Sequence, residues 1–263
     1  MFALRYTLEK AVNVHGIVFG DNNVIIAAPV ISLKGFNDIS EIVNIAKEKG
    51  IHILEIRYDY LLMENKDLSP SNILLQLNNL GFPYIFTFRS PREGGVYEIP
   101  DHLRLKMILD IIVKYKPTIL DVELYVFKDP EMRYYASSIL KYSKDEGIGL
   151  IVSYHDFNNT PDYDTLYRIG EEEAAVGADI LKIATMARDF SDIITMLRVT
   201  HDLRAKLRKP LITLTMGERG KVGRVLTPIF GSDLVFVDLM GKSASGQIPL
   251  SHMLDFVRIM GEL

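Results

Sequence analysis

In the run Ile180-Leu181-Lys182-Ile183-Ala184 a lysine stands in the middle of apolar residues. The run reads as a short buried strand, where an ammonium is costly unless it is paired or gives up its proton. Stability offers little reason to put a lysine there, so Lys182 is read as a working group. Apolar surroundings, with cations such as Arg57 or Arg89 nearby, would lower its pKa from the ordinary value of about 10.4. A neutral amine can attack a carbonyl carbon and form an imine. The protonated imine is an electron sink that acidifies the adjoining carbon, and a base must then take that proton. His155, in the preceding run GLIVSYH, is the natural base because imidazole titrates near neutrality. Lysine and histidine together point to Schiff-base chemistry with proton transfer.

Other polar residues fall at the ends of apolar runs. Residues two apart on a strand share a face. Glu55 with Arg57, Thr87 with Arg89, Asp121 with Glu123, Ser153 with His155, and Thr213 with Thr215 are such pairs. Each has a plainer reading. Glu55–Arg57 or Arg89–Asp121 could be ion pairs that fill an interior, Ser153 or Thr213 satisfied core hydroxyls, and His155 a structural histidine. Taken together, they place polar groups at one end of a set of strands whose early residues are apolar.

The elements that must position them alternate. Strands are predicted at 24–30, 51–57, 84–89, 118–123, 149–155, 180–184, 211–215 and 234–237, each short and rich in Ile, Val, Leu or Phe. Helices are predicted at 38–49, 69–80, 100–116, 130–146, 161–176, 189–208, 224–230 and 249–261. Pro70, Pro100, Pro130, Pro161 and Pro249 stand near helix starts. Ser69, Asp129 and Thr160 are N-cap candidates. Gly50, Gly81, Gly147 and Gly177 follow helices. This alternation implies an α/β protein, a closed (β/α)₈ TIM barrel in one domain over 1–263, with an open doubly wound sheet as the competitor. Barrel enzymes place their chemistry at the C-terminal mouth, where these polar residues converge. Residues 1–23 precede the barrel, and RYTLEKAV with HGIVF reads as a short hairpin across one end.

Composition excludes several classes. The 263 residues are 48% hydrophobic with a net charge of −4, enough for a large core and unlike a nucleic-acid binder. No apolar run approaches the roughly 18 residues of a spanning helix, and the start lacks the apolar core of a signal peptide, so a cytoplasmic protein with no membrane partner is expected. The absence of cysteine removes disulfides, thiolate zinc sites and cysteine nucleophiles. The histidines show no metal-binding spacing, so neither metal nor cofactor is expected. MGKSASG contains G-K-S, but the phosphate-loop pattern needs glycine at 236, where Phe236 stands. GERGKVG (217–223) is read as a flexible loop delivering Arg224. The loop 90–99 is long enough to be a lid and carries Glu93. One face of the apolar helix 103–113 could serve a homodimer.

At these residues the chain resembles the type I 3-dehydroquinate dehydratases, Schiff-base enzymes of the shikimate pathway of aromatic amino-acid biosynthesis. EIRYDYL (55–61), FTFRSPREGG (86–95), SYHDF (153–157), LKIA (181–184), GRVLTPIFGSDLVF (223–236) and SASGQIPL (243–250) match the family's motifs in order. The resemblance implies a lyase that converts 3-dehydroquinate to 3-dehydroshikimate by syn elimination of water. It implies that Lys182 forms the imine with the C3 ketone. His155 would move the C2 proton to the leaving C1 hydroxyl, and Glu93 would orient or charge-balance His155. Glu55 and Arg57 would bind ring hydroxyls, Arg224 the substrate carboxylate, and Arg89 would add hydrogen bonds. Ser243 and Gln247 would close over the substrate, with Met216 and Phe236 as apolar walls. Two departures are visible: Ala28 stands at the best match to a serine in many bacterial relatives, and Gly223 where relatives often have serine. The competing functions are a class I aldolase and a non-catalytic sensor of dehydroquinate or quinate on the same fold.

Overall fold

The computed structural model describes residues 8, 11–21, 23–239 and 248–262. A short antiparallel hairpin, β1 (Val12–Val14) and β2 (Ile17–Phe19), precedes the barrel. The barrel strands are β3 (Ile25–Val30), β4 (Ile53–Arg57), β5 (Tyr84–Thr87), β6 (Ile119–Glu123), β7 (Gly149–Asp156), β8 (Ile180–Met186), β9 (Leu211–Met216) and β10 (Leu234–Asp238). They pair in parallel in chain order from β3 to β9, with β10 beside β3 and the short β11 (Ile248–Pro249) beside β10. Every predicted strand is present, and no end is displaced by more than two residues.

The helices are α1 (Ile39–Glu48), α2 (Tyr58–Glu64), α3 (Ser71–Leu80), α4 (Asp101–Tyr115), α5 (Leu124–Lys128), α6 (Arg133–Glu146), α7 (Tyr163–Ala175), α8 (Phe190–Leu207), α9 (Lys221–Phe230) and α10 (Leu250–Glu262). Helices α2 and α5 are absent from the sequence-based assignment. Each follows directly on the last residue of a strand, which is its N-cap without a side-chain hydrogen bond, and is too short to show a period. Asp129 caps as expected, accepting from the Glu131 N–H at 2.9 Å. Ser69 and Thr160 do not cap. The Thr160 hydroxyl bonds Thr185 and the Met186 carbonyl, and Asp162 caps α7 by accepting from the Thr165 N–H at 2.8 Å.

Strand alternation sorts the core into two layers. Ile26, Ala28, Val30, Leu54, Ile56, Phe86, Leu120, Val122 and Val152 face the helices. Ile25, Ile53, Ile85, Ile119, Ile151, Ile180 and Leu234 face inward and close the lower barrel. Val14 and Phe19 of the hairpin pack on that inner layer, with Phe19 wholly buried. The space there is tight: a side chain at Gly149 would approach Val14 to 3.0 Å. The hairpin therefore plugs the N-terminal end. Its turn falls at His15-Gly16, and its first strand begins at Val12.

The seam between β9 and β10 is held from the segment just before β10. The Asp233 N–H donates to the Leu211 carbonyl at 2.7 Å, and the Asp233 carboxylate accepts from the N–H groups of Leu211 and Gly20. Both oxygens of that carboxylate also receive Arg204 of α8, at 2.8 and 3.1 Å, and both residues are buried. Ser232 adds its hydroxyl as acceptor for the Thr213 N–H at 3.1 Å. One carboxylate thus joins the seam, the hairpin and a helix. Removing one partner of a buried ion pair costs about 3–5 kcal/mol, because the other charge stays buried. Asp233→Ala is expected to lower the unfolding free energy by about that amount in urea titrations. A loss below about 1 kcal/mol would show that the seam does not depend on this staple.

Candidate active site

The inner face above the isoleucine layer changes character. Glu55 on β4, Thr87 on β5, Asp121 on β6, Ser153 on β7 and Lys182 on β8 occupy neighbouring inward positions of the sheet register. All are buried, with Lys182 only 3% exposed. The Lys182 Nζ donates to Asp121 Oδ2 at 2.6 Å and lies 3.5 Å from Glu55 Oε1. The Phe236 ring covers it at 4.9 Å. The nearest charges to this nitrogen are therefore carboxylates, where the sequence had suggested arginines. The reason is that both guanidiniums hold acids of their own. Arg57 grips Asp59 through Nε and Nη2 at 2.9 and 2.8 Å. Arg89 donates to Asp121 and Glu123 at 2.8 and 3.0 Å and to the Ser153 hydroxyl at 2.9 Å. Burial would raise the Asp121 pKa, but Arg89 and Lys182 outweigh it and hold that carboxyl below the usual range.

His155 ends the next inward position on β7. Its Nδ1 lies 2.9 Å from Glu93 Oε2, which also accepts the His155 backbone N–H at 2.9 Å. Burial, assisted by Arg89 and Lys182, holds the imidazole well below its ordinary pKa. Burial, with Glu123 adding repulsion, pushes Glu93 up to about 8. The ring is therefore neutral at neutral pH, with one nitrogen on Glu93 and the other available as a base. Phe157 stacks on the ring at 6.4 Å.

The segment carrying Glu93 is pinned. Ser90 donates its N–H to Glu123 at 2.8 Å, and Val96 donates to Asp59 at 3.2 Å. Gly95 lies so close to the Arg89 carbonyl that a Cβ would sit 2.1 Å from it, so no other residue fits there.

Arg224 lies on α9, buried, with Nε donating to the Thr215 carbonyl at 2.9 Å. Burial pulls its pKa down to about 10. The preceding Gly223 has a packing reason, since a side chain there would come within 2.2 Å of the Thr215 hydroxyl.

Glu55, Arg57, Arg89, Glu93, His155, Lys182, Met216, Arg224 and Phe236 line one pocket of about 460 Å³, together with Phe157, Ala184 and Leu214. Nine of the eleven residues expected at the site therefore meet. The other two, Ser243 and Gln247, lie outside the described residues. Thr213 and Thr215 do not point to the mouth. Thr213 bonds Thr200 of α8 at 2.7 Å, and Thr215 bonds the Gly220 carbonyl at 2.7 Å. The inward positions of β9 are Ile212, Leu214 and Met216, so the threonine pair was assigned to the wrong face. Ala28 likewise faces the helices, and Ala27 is the inward residue. Sequence reasoning missed Asp59 and left Asp121 as one ion-pair candidate. The E-x-R-x-D spacing was a signal for Asp59, and the inward register for Asp121.

The family model of type I 3-dehydroquinase matches residues 27–263. A 3-dehydroquinate dehydratase of Alkaliphilus oremlandii is 32% identical over 256 residues, covering 96% of this chain and 98% of the relative. Among solved structures, the 3-dehydroquinate dehydratase of Geobacillus kaustophilus superposes with a TM-score of 0.82 at 28% identity, covering 97% of this chain and 98% of its own. The type I enzyme of Clostridium difficile, solved with covalently modified comenic acid, gives 0.82 at 27% identity, covering 97% of this chain and 100% of its own.

Behind Lys182 lies a carboxyl that the pocket does not use. Glu173 of α7 is fully buried and accepts the Lys182 backbone N–H at 3.1 Å, while its Oε1 has no hydrogen-bond partner. Burial pushes its pKa well above the ordinary value. The unfolded chain ionises this group near pH 4.5, whereas the folded chain keeps the proton. Its contribution is therefore full below the unfolded pKa and is lost as pH rises towards the folded one. Glu173→Gln keeps the shape and the acceptor but cannot ionise. It is expected to match the parent chain in unfolding free energy near pH 4 and to exceed it increasingly towards pH 8. A constant difference across that range would refute a neutral Glu173.

Proposed function

The chain belongs to the type I 3-dehydroquinase family and removes water from 3-dehydroquinate, and from that premise we propose how its side chains divide the reaction. Lys182 is the nucleophile. Its nitrogen attacks the C3 ketone, and loss of water leaves an iminium with the positive charge on nitrogen. The electron pair of the C2–H bond then flows towards that nitrogen, giving an enamine, as His155 takes the proton. The enamine expels the C1 hydroxyl, which leaves as water with the proton that His155 returns. Water then hydrolyses the new iminium, releasing 3-dehydroshikimate and the lysine. One imidazole, neutral before the reaction, serves as base and then as acid. Glu93 fixes the ring and its tautomer through Nδ1.

Arg224 receives the substrate carboxylate. A guanidinium presents a planar fork to a carboxylate, and the Arg224 fork is buried at the pocket wall. Arg57, aligned by Asp59, and Glu55 bind ring hydroxyls. Arg89 organises the wall behind them, and Met216, Phe236 and Phe157 supply its apolar faces. The observation that carries this reading is the shared pocket of Lys182, His155 and Arg224, a nucleophile, a neutral base and a buried guanidinium.

The test is reductive trapping. Incubation with 3-dehydroquinate and borohydride should add one reduced substrate-derived group, located by peptide mass spectrometry on Lys182. Lys182→Ala should lose adduct and turnover while keeping the fold; an adduct that survives this change would refute the assignment. Arg224→Ala should raise KM at least about tenfold, as expected for the loss of hydrogen bonds between charged groups, while saturating substrate still gives the adduct. An unchanged KM would move the carboxylate elsewhere.

A further inference from the structure

We infer that Asp121 is a further catalytic residue, the standing counter-ion of the Lys182 nitrogen in its charged states. The inference rests on the imine reading above. Asp121 is 1% exposed, on the middle of a barrel strand, with Oδ2 at 2.6 Å from the atom that reacts. Its other oxygen is engaged by two donors, Arg89 Nη2 at 2.8 Å and the Ser153 hydroxyl at 2.6 Å. Those donors fix the plane of the carboxylate and hold it charged, so that Oδ2 is committed to Lys182. Glu55, the other acid near the nitrogen, is farther away at 3.5 Å and also accepts the Thr87 hydroxyl at 3.0 Å. The charged and titratable groups that act on Asp121 are Arg89 and Glu93 from the segment after β5, His155 from β7, Lys182 from β8 and Glu173 from α7.

The charge balance of the reaction fits such a partner. An ammonium and a ketone give an iminium and water, so the nitrogen bears one positive charge before and after condensation. It loses that charge when the C2 proton moves to His155 and the enamine forms, and regains it when the C1 hydroxyl departs as water. Hydrolysis returns the ammonium. A carboxylate that stays ionised therefore faces a cation at every long-lived stage. It favours the iminium over a neutral imine, and the iminium is the species that acidifies C2. Preorganised charge of this kind acts without reorganising during the reaction.

Asp121→Asn keeps the shape and removes the charge. It is expected to lower kcat by about 100-fold or more, the scale for losing one preorganised electrostatic partner, with KM within about threefold. The rate of borohydride trapping should fall with kcat. A smaller variant tests charge directly: Asp121→Ala should regain activity saturably on addition of sodium formate, and not on addition of formamide. A kcat for Asp121→Asn within about fivefold of the parent chain, or equal rescue by formamide, or no rescue by either, would overturn the assignment. Adduct formation by the parent chain keeps the two questions apart. If the parent forms the adduct and Asp121→Asn is unimpaired, only this inference fails; if the parent forms none, the imine reading fails first.

Discussion

The 2.6 Å contact between Lys182 and Asp121 is the constraint around which the upper barrel is arranged. Two charges in an apolar cylinder are tolerated only when their remaining hydrogen-bonding capacity is met. Asp121 meets its own through Arg89 and Ser153. Arg89 in turn needs Glu123, and Glu123 needs Arg104, fully buried on α4, whose guanidinium also donates to the Phe88 carbonyl and to Asp101. The chain of partners ends only near the surface, where Arg92 meets Asp101. A lysine at the centre thus fixes the identity of polar groups on four elements around it.

That outward chain also sets the geometry around His155. The Glu123 oxygen that receives Arg89 receives the Ser90 N–H as well, and Ser90 opens the turn that carries Glu93. Asp59 does the same from the other side, aligning Arg57 and holding Val96. The segment between them is anchored at both ends by acids that also serve the site's arginines. The histidine is therefore placed by the same network that places the lysine, and neither depends on a flexible loop for its position.

Much of this arrangement was legible in the sequence, for identifiable reasons. The strands carry short β-branched apolar runs bounded by turn residues, so their positions were clear. Helices α2 and α5 were not, because a helix that follows a strand with no residue between leaves no punctuation. A lysine within Ile-Leu-Lys-Ile-Ala was conspicuous, and the pocket does gather around it. Facing was harder. Thr213 and Thr215 alternate as strand residues should, but alternation does not say which face is inward until a neighbouring strand supplies the register. The partners of Lys182 were hidden for a related reason. Arg57, Arg89, Asp121 and Glu55 were all visible, but which acid each cation takes is a matter of distances that no spacing encodes.

The fold explains why these polar side chains share one opening. The hairpin and the isoleucine layer seal the lower barrel, so the polar layer opens on one side only. Within that opening the Lys182 nitrogen, the His155 imidazole and the Arg224 guanidinium face the same space. The most direct measurement is a crystal structure of the chain after borohydride reduction with 3-dehydroquinate. The account predicts a bond from Lys182 Nζ to the former ketone carbon, Asp121 Oδ2 within hydrogen-bonding reach of that nitrogen, His155 beside the neighbouring carbon, and the substrate carboxylate on Arg224. A ring lying the other way, with its carboxylate on Arg57 and His155 remote from the reacting carbon, would contradict it.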